Sequence, residues 1–118
     1  MRKVLYIIMC TLVLIACGNR RKASNAVEDF LRQNLVNAKF KTEYISMDST
    51  YKVKDSVLIA LQQQAPQDKA FKKGIKWDKP VPGKIIYMRM KVIQQEDTIV
   101  RTFYLDPEMT KVLAFKQN

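Results

Sequence analysis

Histidine is absent from the 118 residues. That removes the usual general base, the partner of catalytic triads and dyads, and the commonest metal ligand. Cysteine occurs only at Cys10 and Cys17, so everything downstream holds neither a disulfide nor a thiol for catalysis or zinc. The three glycines, Gly18, Gly74 and Gly83, are too scattered to build a phosphate-cradling loop, and no D-x-D-x-D-G calcium loop occurs. Acidic residues are few, 11 against 21 Lys+Arg, giving a formal net charge of +10. Three carboxylate pairs remain. Glu28 and Asp29 stand near a predicted helix start, where acids favour the dipole. Glu96 with Asp97, and Asp106 with Glu108, fall in predicted turns. Solvated structural roles suit all three better than a hydrolase dyad. The expectation is a protein that is not an enzyme and carries no cofactor or metal.

A long apolar run is also missing. Val4 to Ala16, "VLYIIMCTLVLIA", is uncharged for thirteen residues, whereas a helix needs about 20 to span the hydrocarbon core. Arg2 and Lys3 precede it. A basic start and a short apolar stretch form the pattern of a secretory signal. This one closes on Leu14-Ile15-Ala16-Cys17 and then turns basic with Arg20, Arg21 and Lys22.

That closing tetrapeptide resembles the lipobox of bacterial lipoproteins: a branched apolar residue, a tolerant position, a small residue and a cysteine. The resemblance implies that Cys17 receives a diacylglyceryl group and, after cleavage before it, becomes the lipidated first residue, usually acylated again on its amine. Residues 1–16 would then be the signal peptide, 17–23 a lipidated tether and 24–118 one small domain. Loss of Arg2 and Lys3 leaves 19 Lys+Arg against 11 Asp+Glu. Acyl chains contribute roughly 0.8 kcal/mol per buried methylene, enough for stable anchoring. The implied location is the cell envelope, on a bacterial outer membrane facing the periplasm. Behind an export signal, nucleic acid is a poor partner for the positive charge. Anionic headgroups or an acidic envelope protein fit better.

Within the domain, Asn25 and Glu28 have capping-box spacing. Val27, Phe30, Leu31 and Leu35 share one face of a predicted helix over 25–37. "FKTEYISMDSTYKV" is β-branched and aromatic and predicts one or two strands, with Asp48-Ser49 as a candidate turn. Asp55 or Ser56 is placed to cap a second short helix bearing Val57, Leu58, Leu61 and Ala65 and stopped by Pro66. An irregular, lysine-rich connection follows to Gly83. In "KIIYMRMKVIQ", Ile86, Met88, Met90 and Val92 alternate with Tyr87, Arg89 and Lys91, the period of a half-buried strand. "TIVRTFYL" and "KVLAFK" complete a predicted antiparallel meander.

One helix followed mainly by antiparallel strands resembles the cystatin-like α+β folds, in which a curled sheet wraps an N-terminal helix. The resemblance covers about residues 25–116 and is architectural. The Q-x-V-x-G inhibitory loop of cystatins is absent, so thiol-protease inhibition is not implied. A second likeness is to the small outer-membrane-assembly lipoproteins, which place two helices before a three-stranded sheet. Here their glycine-bearing helix-start motif is missing and a strand separates the helices.

These readings favour a membrane-anchored interaction or scaffold lipoprotein. The alternatives are an inhibitor or immunity protein against a secreted enzyme, a small-ligand carrier, and an assembly accessory. From Lys69 to Lys91 there are eight bases and one acid, Asp78, together with the only tryptophan. Lys69, Lys72, Lys73, Lys76, Trp77 and Lys79 are therefore the candidate binding surface. Cations beside an aromatic side chain suit an interface, while a buried Trp77 would be the competing structural outcome.

Overall fold

The computed structural model describes residues 2–80, 83–95 and 97–118, with side chains described from Gly18 onward. Helix α1 (Arg2–Asn34) is followed by β1 (Lys41–Thr50), α2 (Asp55–Gln64), a short 3-10 turn (Ala65–Gln67), β2 (Ile85–Ile93), β3 (Thr98–Leu105) and β4 (Val112–Gln117). The strands form one antiparallel sheet in the order β1-β2-β3-β4. This is an α+β fold whose last three strands are the predicted meander.

The helix face is the predicted one, extended by a turn. Ala23, Val27, Leu31 and Leu35 recur every four residues, and all are buried. Each of the larger three contributes about 1.5–3 kcal/mol by leaving water. The helix was expected to start at Asn25, but Asn25 lies exposed inside it. Residues 18–22, expected as part of a tether, are helical and exposed, and the core already begins at Ala23. Arginine, lysine and alanine are good helix formers, and Ala23 gains burial by continuing the stripe. The C-terminal end closes at Asn34, three residues earlier than expected. Its side chain donates to the Phe30 carbonyl at 2.9 Å. Its carbonyl accepts from the Lys72 amide at 2.7 Å, and the Val36 amide donates to Ala70.

β1 is one strand, and Asp48-Ser49 lies inside it rather than at a turn. A bulge between Tyr44 and Ser46 shifts the register at Ile45. The bulge changes the parity of the strand. Thr42, Tyr44 and Met47 thereby stay half-buried, while Lys41, Glu43 and Asp48 stay in solvent.

Ile86, Met88, Met90 and Val92 are buried in the core cluster with the α1 stripe, as the period-two pattern predicted. Phe103, Leu105, Val112 and Phe115 join them. The opposite face carries a second cluster in which Leu58 of α2 meets Ile85, Tyr104, Leu113 and Ala114. Gln62 of α2 donates to the Leu113 carbonyl at 2.8 Å. The second helix therefore covers part of the outer face near β4, so the sheet has helices on both faces. No side-chain cap forms at its start, where Lys54 stands.

Two polar arrangements close the structure. Arg101 points inward from β3 and is buried. Its Nε and Nη2 donate to Asp68 at 3.1 and 3.2 Å, and its Cζ stands 5.2 Å from the Phe71 ring centroid. This pair ties the segment after the 3-10 turn to the sheet. In the β3–β4 turn, Asp106 accepts from the amides of Thr110 and Lys111 and from the Thr110 hydroxyl. Burial alone would raise its carboxyl, but the Thr110 hydroxyl and the turn amides outweigh it and hold the group below its ordinary value. The resulting stability is present above the ordinary aspartate range and is lost as pH falls through the lowered value.

Candidate interaction surface

The lysine-rich segment owes its course to aromatic anchors. Phe71 is buried and stacks on Phe115 with centroids 4.2 Å apart. Trp77 is half-buried, 5.3 Å from Phe30 and 6.0 Å from Phe115. Ile75 packs on the same core cluster. These apolar residues take the inner positions of the segment, which leaves Lys72, Lys73 and Lys76 outside and exposed. Gly74 makes the turn between them at φ 81°, a conformation that favours glycine.

Lys72, Lys73 and Lys76 line an open groove of about 590 Å³ beside α1, with Lys111, Asp29 and Asp78. Asp29 is bound to Arg32 at 2.7 Å, and Asp78 faces Lys111 at 3.8 Å. Among the described residues, Lys72, Lys73 and Lys76 form no salt bridge. Asp29 is thus answered from outside the groove and Asp78 by Lys111 within it, which leaves Lys72, Lys73 and Lys76 as a positive surplus facing solvent.

The predicted surface divides. Lys69 lines a separate groove of about 560 Å³ with Val36, Asp68, Gln94 and Asp97. Lys79 is exposed and lines neither groove. Trp77 turns its ring inward, because the aromatic cluster offers it more apolar contact than the surface does. Its role is to seat the segment. Lys111, which completes the groove, was not among the predicted residues. It lies at the far side of the β3–β4 turn, and nothing in its own sequence neighbourhood links it to Lys72.

Cys17 lies on α1 and its side chain is outside the described residues. Asn34 is about 25 Å further along the same helix at 1.5 Å per residue, and Lys72 bonds to it. The groove therefore lies along the Ala26–Asn34 stretch of α1, about 14–25 Å beyond the anchor position at mid-helix. Three residues after Cys17, the Arg20 guanidinium stacks 3.8 Å from the Tyr44 ring centroid, a cation–π contact. Among the described residues, no helix is long and apolar enough to cross a membrane. No group of three His, Cys, Asp or Glu residues is placed to hold a metal among them.

Comparison with family models, curated proteins and solved structures returns no match. The α+β architecture stands on the coordinates; the cystatin-like label has no structural neighbour to support it.

Proposed function

We propose that this protein is a non-enzymatic cell-envelope lipoprotein, anchored through Cys17, whose groove at Lys72, Lys73, Lys76 and Lys111 holds an acidic protein partner. The observation that carries the partner reading is the seating of Lys72, Lys73 and Lys76, unpaired among the described residues, between the inward-facing Phe71 and Trp77. Flexible solubilising lysines need no such frame. The groove's α1 lining, Ala26 to Asn34, lies about 14–25 Å along the helix from the anchoring residue, which leaves room for a protein partner to reach it. The signal-like segment and its lipobox support the anchor and a cell-envelope location; the outer membrane, facing the periplasm, is part of this proposal. A carrier is less favoured because the inner face of the sheet is filled by α1 rather than hollow.

Two measurements test this reading. Metabolic labelling with a palmitate analogue is expected to mark the wild type and leave Cys17→Ser unmarked; equal labelling of both removes the anchor. Crosslinked capture from envelope extract is expected to yield a protein with an acidic face, weakened by added salt. The triple variant Lys72→Gln, Lys73→Gln, Lys76→Gln should lose it at an unchanged melting temperature. Capture that persists in the triple variant rejects the groove.

A further inference from the structure

The end of the domain nearest Cys17 has its own surface, distinct from the lysine groove. Asn19 of α1 shares a small groove with Asp48 and Ser49 of β1, Lys84 before β2, and Pro107 and Met109 of the β3–β4 turn. Thr50 pairs with Ile85 at the last rung of the β1–β2 ladder. The chain beyond that rung, Tyr51 to Lys54, therefore emerges beside Lys84 at the same end. Tyr51 is 77 % exposed, the most exposed large apolar side chain among the described residues. Lys52 and Lys54 follow it and are exposed, and Arg20, Arg21 and Lys22 are exposed on the adjoining turn of α1. Asp48, Asp55 and Glu108 are the exposed acids nearby, so bases outnumber acids six to three.

We propose that this end docks on an anionic bilayer surface, with Tyr51 at the water–headgroup boundary and the surrounding lysines and arginines facing lipid phosphates. The inference rests on anchoring at Cys17 for its geometry. The cysteine is one residue from Gly18, and the helix is continuous there, so acyl chains at Cys17 would leave this end within a turn or two of the headgroups. Tyrosine suits such a boundary because its ring is apolar and its hydroxyl remains wet. Each base near an anionic surface strengthens association about fivefold. Docking fixes the tilt of the domain and with it the presentation of the Lys72 groove, whose Lys111 lies on the same β3–β4 turn as Pro107 and Met109.

The test uses the full chain reconstituted in vesicles of phosphatidylcholine alone or with phosphatidylglycerol, carrying Tyr51→Trp as a reporter. Trp77, seated in the aromatic cluster, is common to the wild type and the variant and is subtracted. On anionic vesicles the emission from position 51 is expected to move to shorter wavelength and to resist iodide quenching. On neutral vesicles, or at high salt, it should remain water-exposed. Lys52→Gln, Lys54→Gln and Lys84→Gln together should weaken docking roughly a hundredfold. Lys72→Gln, Lys73→Gln and Lys76→Gln should leave it unchanged. Flotation separates the two readings. A chain that floats with both vesicles while position 51 stays equally quenchable overturns docking and leaves the anchor standing. A chain that floats only with anionic vesicles supports docking and removes the anchor. A chain that floats with neither overturns both.

Discussion

Replacing Asp68 with alanine is expected to lower the unfolding free energy by about 3–5 kcal/mol, the cost of leaving one member of a buried ion pair uncompensated. The Arg101 side chain is 1 % exposed and Asp68 is 14 % exposed. The guanidinium cannot shed its charge by deprotonation. It cannot reach water without pulling β3 out of register or lifting the 65–72 segment from the sheet. A domain of about 100 residues has only about 5–15 kcal/mol in total, so this one change removes a large share. The double variant Asp68→Ala with Arg101→Met is expected to be more stable than Asp68→Ala alone, because it removes the orphaned charge and restores apolar packing beside Phe71. Urea unfolding of the two single variants and the double variant checks this. Losses that simply add would mean the two side chains act independently. The same pair seats the segment that carries Lys72 and Lys73, so Asp68→Ala should also expose that segment to trypsin in the native state.

Much of the fold was legible because its signals are local. The alternation from Ile86 to Val92 needs only a count of two, and the spacing from Val27 to Leu35 needs only a helical period. What escaped depends on contacts between distant residues. Arg101 sits at an inward position of "TIVRTFYL", where a charged residue reads as a break in the pattern. Its justification is Asp68, 33 residues away. The bulge at Ile45 blurred the alternation of β1 and made one strand look like two around Asp48-Ser49. Asn25 with Glu28 has the spacing of a cap, yet Ala23 lies two residues earlier with a buried face to fill, and burial outweighs a cap of about 1 kcal/mol.

The candidate surface was legible as a composition and not as a shape. A run of lysines around a tryptophan announces positive charge. It does not say that Phe71, Ile75 and Trp77 will turn inward while Lys72, Lys73 and Lys76 turn out. Nor does it say that Lys69 and Lys79 will leave the group and Lys111 will join it. Those assignments follow from the stacking of Phe71 on Phe115 and from the bond that the Lys72 amide donates to the Asn34 carbonyl, both long-range. The basic end around Tyr51 was hidden for the same reason, since its members come from α1, the β1–α2 connection and the start of β2.

Met88→Asp is expected to unfold the domain or to cost more than about 4 kcal/mol, whereas Arg89→Asp, its immediate neighbour, should stay within about 0.5 kcal/mol. Met88 is fully buried on the α1 face, opposite Phe103 and Met47 in the ladder and 4.0 Å from the Ser24 hydroxyl. A carboxylate there would face apolar side chains with one weak donor. Position 90 is a poorer choice for this contrast, because Arg101 stands opposite Met90 in the register and would partly answer the new charge. Arg89 is exposed on the outer face, between Ser46 and Thr102, and none of the salt bridges among the described residues involves it. Thermal unfolding followed by circular dichroism decides the matter. A cooperative transition near the wild-type temperature for Met88→Asp, with loss of structure for Arg89→Asp, would mean that β2 presents the opposite set of side chains to α1, since a slip of one residue exchanges the two faces of a strand.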